Sequence, residues 1–182
     1  MKIVKNSVVV LFTVLLLAAC SGNQMDFEFT DQDAQPFGSK ELTGKVWVAN
    51  FIFTNCETVC PPMTAHMAKL QQMLADEGVE AELVSFSVDP EVDSPEALKE
   101  FAEKFDADFQ NWHFLTGYSQ AEIEEFAKVN FQTLVQKPEN NDQVMHGTSF
   151  VIVNPSGEVI ESFNGVESPS YDEMVALIKK LN

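Results

Sequence analysis

The chain has 182 residues and a formal net charge of −17 near neutral pH, because 28 aspartate and glutamate residues stand against 11 lysines and no arginine. So acidic a surface repels nucleic acids and anionic lipid headgroups, which argues against a nucleic-acid-binding function and suits a cationic partner or a metal cation. The length allows one domain of about 160 residues with its own hydrophobic core behind an N-terminal segment.

The first residues have the pattern of a secretory signal. Lys2 and Lys5 precede an uncharged, largely apolar run at 7–17. This run is too short to span a bilayer comfortably as a permanent anchor. The sequence Leu-Ala-Ala-Cys at 17–20 resembles the lipobox of bacterial lipoproteins, in which the cysteine is lipidated and becomes the first residue of the mature protein.

The lipobox resemblance implies three parts of the chain. Residues 1–19 are expected to be a signal peptide, residues 20–25 a lipidated Cys20 with a short tether, and residues 26–182 one folded domain. The domain would then lie outside the cytoplasm, anchored to the bacterial cell membrane as a lipoprotein. An uncleaved N-terminal anchor is the alternative, and it places the domain on the same side. Removal of the signal would leave nine lysines against 28 acids, a net charge of −19.

The hydrophobic pattern of the domain alternates between strands and helices. Strands are predicted at 25–30, 46–53, 82–88 and 112–115, with a hairpin formed by 148–153 and 158–163. Helices are predicted from the cysteine pair to before Gly78, from Pro95 to about Phe105, from Ser119 through Phe126, and over 171–181, with a polar loop at 136–143. This order predicts an α/β fold with a central mixed sheet flanked by helices, and it looks like the thioredoxin fold.

Cys56 and Cys60 follow the apolar strand at 46–53, where the next helix is expected to begin. Side chains at i and i+4 of a helix share one face. The pair can therefore form a disulfide across the first helical turn or hold one soft metal ion as two thiolates. The N–H groups and the dipole at a helix N-terminus also favour a lowered thiol pKa. A structural disulfide or two inert buried thiols is the alternative, although so short a loop stabilises a fold little.

Three segments, in the same order, resemble the Sco/SenC family. Cys-Glu-Thr-Val-Cys-Pro at 56–61 resembles its C-x-x-x-C-P motif. Ser-Val-Asp-Pro at 87–90, with Ser-Pro-Glu at 94–96, resembles its S-V-D-P-x-x-D-[ST]-P-E segment. His-Gly-Thr-Ser-Phe at 146–150 resembles the histidine segment before its hairpin. The similarity runs from about Phe27 to the C-terminus, so it covers the whole expected domain.

The resemblance implies a copper-binding protein needed to mature the dinuclear copper centre of cytochrome c oxidase subunit II. The implied ligands of one copper ion per monomer, Cu(I) or Cu(II), are Cys56, Cys60 and His146, and two thiolates with an imidazole suit copper on chemical grounds as well. The family pattern also singles out Asp89, which would orient the histidine, take part in proton transfer or cap the following turn. The implied partners are subunit II and, beyond it, other copper carriers or thiol reductases.

Other side chains that bind copper in proteins are expected to be structural here. His66 lies off the face of the cysteines on the predicted helix, and His113 lies within a predicted strand. Met63 and Met67 have the helical spacing of core residues, which favours packing over thioether ligation.

Two functions remain open. The first is a copper metallochaperone, which would not be a classical enzyme because copper delivery breaks no substrate bond. The second is a dedicated thiol–disulfide reductase that keeps the oxidase's copper-ligand cysteines reduced, with Cys56 and Cys60 cycling through a mixed disulfide. A general oxidoreductase is disfavoured, since three residues separate the cysteines and Gly147 stands where thioredoxins carry a cis-proline. A peroxiredoxin-like peroxidase would need an arginine, which the chain lacks.

Overall fold

The computed structural model describes residues 25–182, which alternate between strands and helices. In chain order the elements are β1 (Glu28–Thr30), β2 (Pro36–Gly38), α1 (Ser39–Leu42), β3 (Trp47–Ile52), α2 (Cys60–Asp76), β4 (Glu82–Ser87), α3 (Pro95–Glu103), β5 (Trp112–Leu115), α4 (Gln120–Phe131), β6 (Val135–Gln136), β7 (Met145–His146), β8 (Ser149–Val153), β9 (Val159–Asn164) and α5 (Tyr171–Leu181). The central sheet has the order β5-β4-β3-β8-β9. It is a mixed sheet flanked by helices, which confirms the predicted α/β, thioredoxin-like fold.

Strand β3 is the middle strand of the sheet. It pairs in parallel with β4 and antiparallel with β8, and all six of its residues are buried, as the apolar run predicted. Ile52 at the end of β3 lies opposite Ser87 at the end of β4. We call this side of the sheet the carboxyl edge. The connections at this edge include the cysteine turn (residues 53–59) and the aspartate turn (residues 88–94).

An aromatic cluster joins the sheet to the elements that cover it. The ring of Phe86 on β4 lies within 5.9 Å of the rings of Phe27, Phe51, Phe126 and Phe131, measured between centroids. Aromatic contacts of this kind stabilise a core by about 0.5–1.5 kcal/mol per pair beyond the area they bury. The cluster therefore fixes α4 and the N-terminal strand region against β3 and β4.

Helix α4 is longer than the sequence pattern indicated. Ser119 caps its start as predicted, but the helix continues beyond Phe126 to Phe131. Ile123, Ala127 and Phe131 are all buried and lie four residues apart, so they extend the apolar face by a turn. This extension brings the C-terminal end of α4 next to the strand that follows.

Several short elements were absent from the prediction. The strand expected at 25–30 pairs with β2, which is followed by the single turn of α1. The expected polar loop at 136–143 is flanked by β6 and β7, which pair with each other as a separate two-stranded ribbon. We call residues 135–146 the histidine ribbon. Elements of two to four residues are too short for a hydrophobic period to be recognisable.

The predicted signal peptide at 1–19, the lipidated Cys20 and most of the tether lie outside the described residues. Within residues 25–182, none of the helices combines the length and the apolar character that crossing a membrane requires.

The methionines of α2 provide a test of the packing. Met63 and Met67 are completely buried, as expected of core residues. Met67→Leu conserves volume and should cost less than about 1.5 kcal/mol of unfolding free energy, whereas Met67→Ala should cost about 2–5 kcal/mol by leaving a cavity. Urea denaturation measures both. If leucine proved as damaging as alanine, a role of the thioether beyond packing would follow.

Candidate metal centre

The cysteine turn joins β3 to α2 at the carboxyl edge. Helix α2 begins at Cys60, with Pro61 and Pro62 in its first turn, where a missing N–H breaks no helical hydrogen bond. Cys56 lies in the turn before the helix, so the prediction of two thiols on one helical face is wrong. A helix that began at Cys56 would carry both prolines in its interior, which their rings and missing donors oppose.

The two sulfurs and one imidazole nevertheless converge. The Cys60 backbone N–H donates to Cys56 Sγ over 3.3 Å, which draws the first sulfur onto the N-terminus of α2. Cys60 Sγ lies 3.4 Å from His146 Nε2, although 86 residues separate the two. One ligand atom from each of Cys56, Cys60 and His146 falls within 4.8 Å of the others. The structure thus brings together all three residues that the sequence proposed as ligands.

His146 is held in a defined orientation by its own ribbon. It lies on β7, opposite Val135 of β6, and its Nδ1 is 2.9 Å from the Gly147 carbonyl oxygen. A carbonyl can only accept, so this contact requires a proton on Nδ1, and Nε2 is the ring nitrogen that faces the sulfurs. A Cβ at Gly147 would collide with the Thr133 hydroxyl, which explains glycine beside the histidine.

The two thiols differ in acidity. Burial opposes ionisation of Cys56, but hydrogen bonds from His146, Cys60 and Thr58 outweigh it and lower its pKa to about 6. At Cys60 burial dominates and, with the adjacent Cys56 sulfur, raises the pKa far above its ordinary value. The expected lowered thiol pKa is therefore found at Cys56, where His146 contributes most and the Cys60 N–H at the helix N-terminus contributes as well, and not at Cys60, whose sulfur is enclosed by the core.

Asp89 lies at the carboxyl edge but does not hydrogen-bond to the histidine. Its side chain is 2% exposed, and its Oδ1 lies 2.7 Å from Lys137 Nζ. Its backbone carbonyl accepts the N–H groups of Val92 and Asp93, which is the geometry of a residue that opens a turn. Of the roles considered from the sequence, the contacts fit the capping of the aspartate turn.

Asp93 is a buried acid that the sequence interpretation overlooked. Its carboxylate accepts the Thr54 N–H and hydroxyl and the Ser87 hydroxyl, the last two over 2.6 Å. Burial raises its pKa, partly opposed by these hydrogen bonds. It therefore ties the aspartate turn to the cysteine turn and to the end of β4. Its position inside the segment that resembles the family motif was the available signal.

The other two histidines lie outside this cluster. His66 is half-buried, and its Nδ1 is 2.9 Å from the Gly165 carbonyl oxygen. His113 stacks on Phe37 with ring centroids 3.8 Å apart. Met67 is buried in the core. Among the described residues, His146 is the histidine that joins the cysteines.

The donor set fits copper. Thiolates favour soft ions such as Cu(I), and an imidazole adds a ligand that Cu(II) also accepts. Both Cys56 and Cys60 are free of a disulfide in the structure, so both sulfurs are available as donors or as a redox pair. Zinc also accepts two sulfurs and one nitrogen. The chemistry of the site therefore indicates a thiophilic metal, thiol redox exchange or both.

Comparison with known proteins shows which family this chain resembles. The family model described as SCO1/SenC matches residues 20–182. The SCO1 protein homolog of Bacillus subtilis (strain 168) is 48% identical over 188 residues, which cover 98% of this chain and 97% of that protein.

Solved structures are similar as well. A SCO1/SenC family lipoprotein from Bacillus anthracis str. Ames has 53% identity and a TM-score of 0.85, covering 87% of this chain and 94% of its own. BsSco, a member of the Sco family of cytochrome c oxidase assembly proteins with a disulfide switch, has 51% identity and a TM-score of 0.80, covering 86% of this chain and 91% of its own. On its sequence and its structure, this chain belongs to the SCO1/SenC family.

Proposed function

We propose that this protein is an extracytoplasmic copper metallochaperone that takes part in assembling the dinuclear copper centre of cytochrome c oxidase subunit II. The observation that carries the proposal is the convergence of Cys56, Cys60 and His146 within 4.8 Å in a member of the SCO1/SenC family. One copper ion per monomer would bind to the two sulfurs and to His146 Nε2.

The relatives support copper and oxidase assembly as the context. BsSco belongs to a family of cytochrome c oxidase assembly proteins. A Stutzerimonas stutzeri protein that is 29% identical over 135 residues is named for copper binding. The choice of subunit II as partner rests on the family resemblance. Transfer from or to other copper carriers would use the same three donors.

A dedicated thiol–disulfide reductase is the second candidate. It is favoured by the inequality of the thiols, since a pKa of about 6 leaves Cys56 ionised at neutral pH while Cys60 stays protonated. Thiol–disulfide exchange requires one thiolate that attacks the substrate disulfide and a second thiol that then resolves the mixed disulfide. The disulfide switch of BsSco is in line with a redox-active pair. Copper binding and thiol exchange would then be alternative uses of the same sulfurs.

We also propose that the domain is anchored to the outer face of the bacterial cell membrane through lipid on Cys20. The family match begins at residue 20, where the lipobox-like segment ends. The Bacillus anthracis relative is a lipoprotein. A tethered domain with a strongly acidic surface would stay in solution beside an anionic membrane.

Copper titration tests the metal site directly. The reduced domain should bind one Cu(II) with thiolate-to-copper charge-transfer absorbance, and Cys56→Ser or Cys60→Ser should abolish those bands because serine offers no thiolate. His66→Ala is the matched control, since this histidine lies outside the cluster. Zn(II) competition shows whether the site prefers copper. Tight copper binding that survives in the Cys56→Ser/Cys60→Ser double variant would refute the assignment of the ligands.

The thiols should titrate separately in the reduced, copper-free protein. Alkylation of Cys56 should rise with pH through a midpoint near 6 and then level off, because its thiolate is the stabilised form. Cys60 should remain slow into the alkaline range. Mass spectrometry of single-cysteine variants separates the two rates. Equal midpoints would mean that the environment does not distinguish the sulfurs.

His146→Ala separates copper delivery from reduction. Loss of the imidazole should weaken copper binding by about 10-fold or more. Thiol exchange should persist, with its pH dependence shifted upward because His146 helps to lower the Cys56 pKa. If the protein delivers copper, then in cells grown at limiting copper His146→Ala should reduce assembly of the oxidase copper centre nearly as much as loss of a cysteine. Full assembly despite weak copper binding in vitro would favour the reductase instead.

Lipid anchoring makes its own prediction. The wild-type protein should partition with membranes, and Cys20→Ala should prevent lipid attachment and alter processing, because the lipid is carried by the cysteine sulfur. Fractionation and mass spectrometry of the mature N-terminus measure both. A secreted wild-type protein without lipid would rule out the anchor.

A further inference from the structure

The histidine ribbon raises the question of what holds His146 beside the cysteines. Within residues 25–182, its two strands pair only with each other and do not join the central sheet. Two residues per strand provide few backbone hydrogen bonds, and an isolated two-stranded ribbon is marginally stable. The ribbon therefore depends on contacts to the rest of the domain, and these contacts decide where His146 lies.

Val135 and Val144 of the ribbon pack in the core, the Lys137 N–H donates to Glu124 Oε1 of α4, and the Lys137 side chain forms ion pairs with the aspartate turn. Lys137 directly follows β6, and its Nζ lies 2.7 Å from Asp89 Oδ1 and 3.0 Å from Glu91 Oε2. The Lys137 side chain is 21% exposed and that of Asp89 is 2% exposed, unlike the ion pair of Lys179 and Glu77, which are 58% and 48% exposed. Exposed pairs contribute little, whereas a buried carboxylate that loses its cation is left with an uncompensated charge.

The other end of this contact is firmly connected to the cysteines. The Asp89 N–H donates to the Ser87 hydroxyl at the end of β4. The Asp89 carbonyl accepts the Asp93 N–H over 2.9 Å, and the Asp93 carboxylate accepts both donors of Thr54. Thr54 lies two residues before Cys56. A continuous series of polar contacts thus runs from Lys137 to the cysteine turn.

A second contact lies at the far side of the ribbon. Gln143 Nε2 donates to the Asn55 carbonyl oxygen over 3.2 Å. This bond is exposed and neutral, so it is weaker than the ion pair of Lys137 with Asp89. The ribbon is thereby attached to both turns of the carboxyl edge, by an ion pair to the aspartate turn and by a single hydrogen bond to the cysteine turn.

We propose that Lys137 is a positioning residue for the metal centre, and that its ion pair with Asp89 holds the histidine ribbon so that His146 Nε2 stays beside the two sulfurs. This inference rests on the proposed copper site. It also gives Asp89 a role: Asp89 places the histidine at a distance, through Lys137, and does so without touching the imidazole.

Whether copper affinity falls or rises when Lys137 is removed distinguishes a positioning role from a simple electrostatic one. Removal of a lysine makes an acidic protein more negative, and this alone would strengthen the binding of a copper cation. If Lys137 positions His146, its loss should weaken binding instead. The loss should be larger for Cu(II) than for Cu(I), since two thiolates alone still suit the softer ion.

The experiment compares Lys137→Met with Lys179→Met, which removes the same charge from an exposed ion pair. Lys137→Met should lower Cu(II) affinity by about 10-fold, as loss of a group that orients a metal ligand commonly does. Lys179→Met should leave it unchanged or slightly raised. Lys137→Arg should restore most of the affinity, because a guanidinium can also bridge two carboxylates.

A double-mutant comparison tests the route of the effect. In a His146→Ala background, Lys137→Met should cause no further loss, because there is no imidazole left to position. An equal loss in both backgrounds, or binding by Lys137→Met that matches the wild type, would overturn the inference.

Hydrogen exchange of the copper-free protein provides a readout independent of the metal. Amides of the histidine ribbon should exchange faster in Lys137→Met than in the wild type, while those of β3 stay protected and Lys179→Met has no effect. Unchanged exchange in the ribbon would contradict the inference. Failure of the wild-type protein to bind copper would instead refute the proposed function, and the exchange result would still decide whether Lys137 holds the ribbon.

Discussion

The parallel pairing of β3 with β4 is the constraint on which the rest of this site depends. Its register sets Ile52 opposite Ser87, so both strands end at one edge and their connections emerge side by side. A parallel pair also needs a crossover, which here is α2, and the N-terminus of that helix therefore lies at the same edge. The cysteine turn, the aspartate turn and the start of α2 are neighbours for this one reason.

Burial and hydrogen bonding act in opposite directions on two thiols of the same turn. Cys56 accepts the Cys60 N–H and lies by the imidazole, and these interactions exceed the cost of burying its charge. Cys60 is enclosed by the core, so its thiol form is favoured. The difference between the two thiol pKa values suits either proposed chemistry. Cys56 provides a thiolate, and Cys60 keeps its proton until a metal ion or a disulfide bond replaces it.

Charge has different roles at different depths of this molecule. A strongly negative surface favours solubility and attracts cations over a distance. Buried charges are structural instead: Asp93 is satisfied by hydroxyl and backbone donors, and Asp89 by a lysine. Both acids lie in the aspartate turn, which makes that turn one of the connections between the ribbon that carries His146 and the turn that carries Cys56.

The sequence by itself determined the kinds of chemistry and the order of the elements. The cysteine spacing and the histidine identified the donor atoms, and the long apolar runs identified the strands, because these are local properties of the chain. Only the tertiary structure decided that the sulfurs differ in acidity and that Lys137 reaches Asp89. The short ribbon was invisible beforehand, since two-residue strands carry no period. These features arise from packing between segments far apart in sequence, and no local pattern encodes the distance at which such segments meet.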